Sequence, residues 1–280
     1  MKHREGTFTG AGKGSIYYQY WQPDEAPRAL ILVVHGASEH SGRYQHFAEH
    51  FVNGGYAVVA FDNIGHGRSE GTPGYVRRFS DFVDTLDIFQ KQVSQDFPDV
   101  PQILLGHSMG GLISTLYLLR NQQRFAGCVL SGPAIKTELE PPTLQLWLIR
   151  SFSLLLPKLG VLQLDANGVS RDPAEVERYV NDPLNYSGKL SARTVSELFK
   201  SMNHVQQNAS VISLPMLLLH GGADAMASPE GSRFLHQHIS SADKTLRIYP
   251  GLFHEIFNEP EKEQVFGDID SWLDRVLSRS

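Results

Sequence analysis

The chain has 280 residues, of which 41% are hydrophobic and 20% are charged, and its formal net charge is −5. This composition is typical of a globular protein with one substantial core, and the mild acidity gives no reason to expect a nucleic-acid partner. The single cysteine excludes an intramolecular disulfide. The polar first 14 residues do not resemble a signal peptide, and no apolar run is long enough to cross a membrane. We therefore expect a cytoplasmic protein.

Apolar strands and helices alternate through the first half of the chain. Several of the apolar runs are continuous, which is typical of strands that are covered on both faces. The predicted elements are strands at 7–8, 15–21, 29–34, 57–61, 103–105 and 127–131, and helices at 43–54, 79–97 and from 112 onward. This alternation predicts an α/β fold, in which a mostly parallel sheet has helices on both faces.

The alternation stops between residues 135 and 210, where prolines divide a helical region. It resumes with strands at 216–220 and 246–249 and helices at 228–239 and 261–277. We therefore predict a core formed by residues 1–134 and 211–280, with a helical cap at 135–210. The cap is richer in leucine and aromatic residues near 144–156 than one buried helix face requires. Leu148 and Phe152 are therefore candidates for an acyl pocket or a membrane contact. The alternative is that this helix packs on the core.

A glycine-flanked serine lies between a predicted strand and a predicted helix, in Gly106-His107-Ser108-Met109-Gly110. The pattern G-x-S-x-G in this context is typical of a nucleophile elbow, a tight turn that presents the hydroxyl to a base. The amide of Met109 would begin the helix and point to where an oxyanion forms. The sequence therefore predicts Ser108 as a nucleophile. The alternative is a glycine-rich turn between two core elements.

A serine nucleophile needs a general base and an acid that orients the base. In an open α/β sheet the functional loops leave the carboxyl ends of the strands. Asp224 and His254 each follow a late predicted strand, and the order serine, aspartate, histidine is that of α/β-type serine hydrolases. Ser108, Asp224 and His254 are the predicted catalytic triad. The amide of Ala37, just after an early strand, is predicted as the second oxyanion donor beside Met109.

Five stretches of the chain form a specific combination. They are HGASEHSGRY at 35–44, FDNIGHGRSEG at 61–71, GHSMGG at 106–111, GGAD at 221–224 and GLFH at 251–254. Together they resemble the monoacylglycerol lipase family of serine α/β-hydrolases, which is also lysophospholipase-like. The resemblance implies the same triad and oxyanion donors, a cap that forms an acyl tunnel, and a place for Glu39 and Arg43 near the glycerol end of the site. The chain departs from relatives at Ser38, where glycine is frequent, and at Phe257, where some animal members have histidine.

The predicted function is hydrolysis of single-chain lipid esters, above all monoacylglycerols, through an acyl-enzyme on Ser108. A lysophospholipase and a short-chain carboxylesterase are the alternatives within this chemistry. We expect a lipid ester as the partner and no cofactor. Contact of the cap with a membrane surface and the oligomeric state are left open.

Two readings of a different class compete with the serine hydrolase. The stretch His46-Phe47-Ala48-Glu49-His50 matches the zinc-peptidase pattern H-x-x-E-H. However, no third ligand follows at a suitable spacing, so we expect an ordinary helix face and no metal. A non-catalytic relative that serves in binding would be expected to lack a triad residue, and none is missing from the sequence.

Overall fold

A large twisted sheet organises the protein. The computed structural model describes residues 1–137, 149 and 151–278. Within these residues eight strands form one sheet, in the order β1-β2-β4-β3-β5-β6-β9-β10, and two further strands form a separate pair. The strands are β1 (Lys2–Thr9), β2 (Ser15–Gln22), β3 (Leu30–Val34), β4 (Ala57–Phe61), β5 (Gln102–His107), β6 (Gly127–Ser131), β7 (Gly160–Leu162), β8 (Leu190–Ser191), β9 (Met216–Gly221) and β10 (Lys244–Tyr249).

Most of this sheet is parallel. β3 pairs in parallel with β4 and β5, and the parallel pairing continues from β5 through β6 and β9 to β10. β1 and β2 are antiparallel to each other, and β2 is antiparallel to β4. The loops that follow the parallel strands therefore meet at one edge, the carboxyl edge of the sheet. The predicted mostly parallel sheet is confirmed.

Helices cover both faces of the sheet. In β3, Leu30, Leu32 and Val34 pack into one apolar layer, whereas Ile31 and Val33 pack into the other. The helices of the described residues are α1 (Gln45–Asn53), α2 (Ser80–Asp96), α3 (Met109–Asn121), α4 (Pro173–Asn181), α5 (Ala192–Asn208), α6 (Pro229–His238) and α7 (Lys262–Leu277). Side chains of α2, α3, α5 and α6 pack into the first layer, and those of α1 and α7 pack into the second. The central strands β3, β4, β5, β6 and β9 are buried along their whole length, as their continuous apolar runs predict.

The predicted helix at 43–54 begins differently from expectation. A 3₁₀ turn spans Ser41–Tyr44, and the α-helix starts only at Gln45. Asp62, at the end of β4, accepts hydrogen bonds from the Ser41 amide at 2.8 Å and from its hydroxyl at 2.6 Å. These bonds hold the chain in a tight turn before the helix. The spacing of apolar residues could not predict this turn, because it depends on a contact with Asp62.

The segment predicted as a cap contains more than helices. Residues 151–155 are helical, α4 and α5 follow, and β7 and β8 form a short antiparallel pair. The pattern of residues did not predict this pair, because β7 has three residues that are all exposed. The division into a core and a cap at 135–210 stays a prediction. None of the described helices is both long and apolar enough to cross a membrane.

Candidate active site

Ser108 lies in the turn that joins β5 to α3. Its backbone has φ 54° and ψ −119°, a strained conformation for a residue with a side chain. At Gly110 a Cβ would lie 2.0 Å from the carbonyl oxygen of Val34, and at Gly106 a Cβ would lie 2.5 Å from Ser114 Oγ. Only glycine at these positions allows α3 to pack this closely on the sheet. The packing therefore produces a sharp turn, with Ser108 at its tip on the carboxyl edge.

The loops after β9 and β10 bring an acid and a base together. At Gly221 a Cβ would lie 2.0 Å from the carbonyl oxygen of Phe253, so glycine allows the two loops to cross closely. At this crossing Nδ1 of His254 donates a 2.6 Å hydrogen bond to Oδ2 of Asp224. The other carboxylate oxygen accepts from two amides of its own loop, at 2.8 and 2.9 Å. The aspartate is therefore held from both sides.

The electrostatics of this pair favour a charged aspartate and a basic histidine. Burial alone would raise the pKa of Asp224, but the facing His254, together with hydrogen bonds from His220 and His254, holds that pKa well below its usual range. Burial also disfavours a charged His254, yet the charge and hydrogen bond of Asp224 outweigh this effect and raise the histidine pKa. A histidine with a raised pKa is a stronger base, which suits removal of a proton from an alcohol.

The ring of His254 lies beside the turn that presents Ser108. The centroid of the His254 ring is 4.7 Å from that of the His107 ring. A Cβ at Gly132 would lie 3.3 Å from Cε1 and Nδ1 of His254. Within the described part of the chain, neither Ser108 Oγ nor His254 Nε2 makes a hydrogen bond. Catalytic hydrogen bonds are often long before substrate binds and shorten only in the complex. The triad roles of Ser108, Asp224 and His254 stay a prediction.

The loop after β3 holds Ala37 in a braced turn. Nδ1 of the buried His35 donates to the carbonyl oxygen of Gly36 at 2.8 Å, and Glu39 Oε1 accepts from the Gly36 amide at 2.6 Å. Among the described residues, no acceptor is bonded to the amide of Ala37 or of Met109. Two such amides on a braced loop and a helix start suit an oxyanion. Their role as an oxyanion hole stays a prediction.

Glu39 and Arg43 belong to a buried charge cluster. The guanidinium of Arg43 donates to both oxygens of Glu255, at 2.5 and 2.8 Å, and lies 4.7 Å from the ring centroid of Tyr179. Glu39 accepts from the Tyr44 hydroxyl at 2.9 Å and lies 3.4 Å from Arg43. Burial and the charge of Glu255 raise the pKa of Glu39, whereas Arg43 lowers the pKa of Glu255 in spite of its burial. Contact of Glu39 and Arg43 with a substrate stays a prediction.

The remaining predicted residues have different surroundings. Phe152 is 38% exposed, and Leu148 lies outside the described residues. Ser38 has φ 64°, a left-handed conformation that favours glycine. The ring of Phe257 packs against that of Phe47 at a centroid distance of 5.3 Å and is buried.

The histidines of the H-x-x-E-H stretch have separate partners. Nε2 of His46 donates to the carbonyl oxygen of Phe257, and Nε2 of His50 donates to Asp270, both at 2.8 Å. Within the described residues, no group of three or more histidine, cysteine, aspartate or glutamate side chains is arranged to hold a metal ion.

Sequence reasoning missed three polar residues near the predicted triad. Glu255 follows His254 and binds Arg43, and His220 and Ser232 form a hydrogen-bonded pair beside Asp224. A signal for His220 was present in the sequence, because this residue ends an otherwise apolar strand. A polar side chain in a buried strand requires a partner.

The chain is similar to known proteins in both sequence and structure. Residues 25–261 match the family model Hydrolase_4, described as serine aminopeptidase, S33. A monoacylglycerol lipase of Mycolicibacterium smegmatis is 39% identical over 96% of each chain, and the human monoglyceride lipase is 36% identical over 92% of this chain and 86% of its own. The crystal structure of Paleococcus ferrophilus monoacylglycerol lipase aligns over 100% of both chains, with a TM-score of 0.82 and 31% identity.

Proposed function

The chain belongs to the hydrolase family described as serine aminopeptidase S33, and from this premise we propose that it hydrolyses monoacylglycerols through a serine acyl-enzyme. The resemblance expected from the motifs and the α/β-hydrolase fold are confirmed by the family match and by the relatives. The names of those relatives support the substrate class. The observation that carries the proposal is the 2.6 Å hydrogen bond between His254 and Asp224 beside the strained turn of Ser108.

In the proposed reaction, Ser108 Oγ attacks the acyl carbon and transfers its proton to His254 Nε2. Asp224 stays ionised, holds the imidazole through its Nδ1–H and stabilises the imidazolium. The amides of Ala37 and Met109 bind the oxyanion. His254 then gives its proton to the departing glycerol oxygen. A water molecule that loses its proton to His254 attacks the acyl-enzyme, and the fatty acid leaves while Ser108 regains its proton.

An apolar surface on the insertion between β6 and β9, the segment predicted as a cap, supports a lipid substrate. Leu154, Leu155 and Leu156 are 74%, 78% and 54% exposed, although adjacent large apolar side chains are usually buried unless they serve binding. We propose that this surface contacts the lipid aggregate from which the substrate is drawn. Phe152 in the same helix, and Leu148, are proposed to line the acyl pocket.

A hydrolysis panel tests the proposed function. It compares monoacyl-, diacyl- and triacylglycerols, lysophospholipids, a short-chain p-nitrophenyl ester and an aminoacyl p-nitroanilide. We expect the highest kcat/KM for monoacylglycerol and a loss of about 10⁴-fold or more in Ser108→Ala. Ser271→Ala, which changes an exposed serine of α7, is the control and should keep the wild-type rate. Faster turnover of a lysophospholipid or of the anilide would overturn the substrate assignment, and an active Ser108→Ala would overturn the mechanism.

A further inference from the structure

A second buried histidine contacts the predicted catalytic aspartate. His220 lies near the end of β9 and is fully buried. Its Nε2 is 3.1 Å from Asp224 Oδ2 and 3.0 Å from the carbonyl oxygen of Ala227. Its Nδ1 is 2.7 Å from Ser232 Oγ on α6. Both ring nitrogens of His220 are therefore engaged, although the reaction described above does not use this residue.

The partners of His220 assign its tautomer. A carboxylate and a carbonyl oxygen face Nε2, and because both can only accept, Nε2 carries the hydrogen. In the tautomer with its hydrogen on Nε2, Nδ1 is an acceptor, and the Ser232 hydroxyl donates a hydrogen bond to it. The result is a buried chain of polar contacts: Ser232 is hydrogen-bonded to His220, His220 Nε2 lies 3.1 Å from Asp224 Oδ2, and Asp224 is hydrogen-bonded to His254.

We propose that His220 is a positioning residue for Asp224, and that Ser232 holds His220 in the tautomer that this task requires. The proposal rests on the proposed function of the triad. His220 contacts Oδ2, the same carboxylate oxygen that accepts from His254 Nδ1. With two loop amides on Oδ1, the carboxylate has donors on both oxygens and cannot turn without losing one of them. Catalytic geometry depends on such supporting contacts.

His220 also tunes the charge that His254 faces. Each donor on Oδ2 withdraws negative charge from the oxygen that stabilises the imidazolium. If the His220 donor is removed, the carboxylate becomes more basic, and the pKa of His254 rises. The acidic limb of the kcat/KM profile then moves to higher pH, because the base must be neutral to act. A purely structural role would reduce the folded fraction and leave this limb in place.

Other charged and titratable groups also surround His254. His107 faces it from the end of β5, and the negative charges of Glu255 and Glu39 favour its protonated form. His220 faces Asp224 with Nε2 and the hydroxyl of Ser232 with Nδ1. Substitutions at positions 220 and 232 leave the first three groups unchanged. A shift of the limb in such variants therefore reports on the contact with Asp224.

The test compares pH profiles of kcat and KM on a soluble ester for wild type, His220→Leu, His220→Gln and Ser232→Ala, with thermal unfolding of each. Glutamine offers an amide N–H at about the reach of Nε2 and can keep the donor. His50→Leu is the matched control, because His50 also donates a 2.8 Å hydrogen bond to an aspartate, Asp270, but does so between α1 and α7.

We expect His220→Leu to lower kcat by about tenfold or more, with KM within about twofold of wild type. Its acidic limb should move up by about half a pH unit. His220→Gln should recover most of kcat and the original limb, Ser232→Ala should show a smaller shift in the same direction, and His50→Leu should match wild type.

Wild-type kcat in His220→Leu would overturn the inference, as would equal losses in the leucine and glutamine variants with an unmoved limb. If His220→Leu does not fold, Ser232→Ala decides, and wild-type kcat with an unmoved limb in that variant would overturn the inference. An inactive wild type, or an active Ser108→Ala, would instead refute the proposed function, so the two failures are distinguishable.

Discussion

The carboxyl edge of the sheet and the insertion between β6 and β9 differ in what they bury. The edge buries polar side chains, whereas the insertion exposes apolar ones. At the edge, the carboxyl groups of Asp224 and Glu39 are buried, and each accepts several hydrogen bonds. On the insertion, Leu154 and Leu155 are mostly exposed. Burying polar groups lowers stability unless they are hydrogen-bonded to one another. Once they are paired, their hydrogen bonds fix the geometry of the site. The edge is therefore suited to positioning, and the insertion is suited to contact with an apolar partner.

The largest effect should come from removing the charge at the edge. We expect Asp224→Asn to lower kcat by about 10⁴-fold while the protein stays folded, because the amide can no longer hold His254 in the tautomer that accepts the serine proton. Steady-state hydrolysis of a soluble ester measures this change. Asp270→Asn changes another histidine-paired aspartate, on α7, and should stay near wild type. A loss of less than tenfold in Asp224→Asn would mean that this carboxylate does not orient the base.

The next effect concerns the packing that forms the turn. Gly110→Ala should lower the free energy of unfolding by about 3 kcal/mol, because its Cβ would lie 2.0 Å from the carbonyl oxygen of Val34. Gly267→Ala in α7 meets nothing within 4 Å and should instead raise the free energy of unfolding by about 1 kcal/mol. Urea denaturation distinguishes the two variants. Equal free energies of unfolding for the two variants would show that stability does not depend on the close approach of α3 to the sheet.

The insertion should respond to changes that leave the edge intact. Exchanging both Leu154 and Leu155 for serine should weaken binding to phosphatidylcholine vesicles by about tenfold. The free energy of unfolding should stay within about 0.5 kcal/mol, and the rate on a soluble ester should not change. Vesicle flotation measures the binding, and Val180→Ser, at a 58% exposed position of α4, is the control. Undiminished vesicle binding in the double variant would exclude this surface as the lipid contact.

The smallest effect is a displacement of the pH profile. Asp224 raises the pKa of His254 above 6.5 although burial opposes this, and the base acts only when neutral. Activity should therefore be complete at high pH and fall as the pH drops through a value above 6.5. A kcat/KM profile on a soluble ester gives this value. An acidic limb below the ordinary histidine pKa would show that burial outweighs the aspartate.

The sequence predicted more of the sheet and its carboxyl edge than of the insertion. The bounds of β4 and β6 were predicted to the residue, because short continuous apolar runs end where the strands end. The sequence order of Ser108, Asp224 and His254 also identified two residues that the fold joins by a hydrogen bond. On the insertion, the β7–β8 pair was not predicted, because the three residues of β7 are exposed and form no buried apolar run.

The support around the site depends on tertiary packing that no local pattern records. Arg43 and Glu255 are 212 residues apart in the sequence, and their ion pair forms only because the loops after β3 and β10 leave the same edge. His220 and Ser232 meet because α6 packs against β9, and which ring nitrogen faces Asp224 is decided by that packing. The polar end of an apolar strand indicates that a partner exists but does not identify it.

The most direct test is to trap the activated serine. A fluorophosphonate that reacts with activated serines is incubated with wild type, Ser108→Ala and His254→Ala, and the labelled peptide is identified by mass spectrometry. We expect one label per chain, on Ser108, with complete loss of ester hydrolysis, and no label in either variant. A fully active protein with Ser108 labelled, or a label on another serine that abolishes activity, would contradict the proposed mechanism.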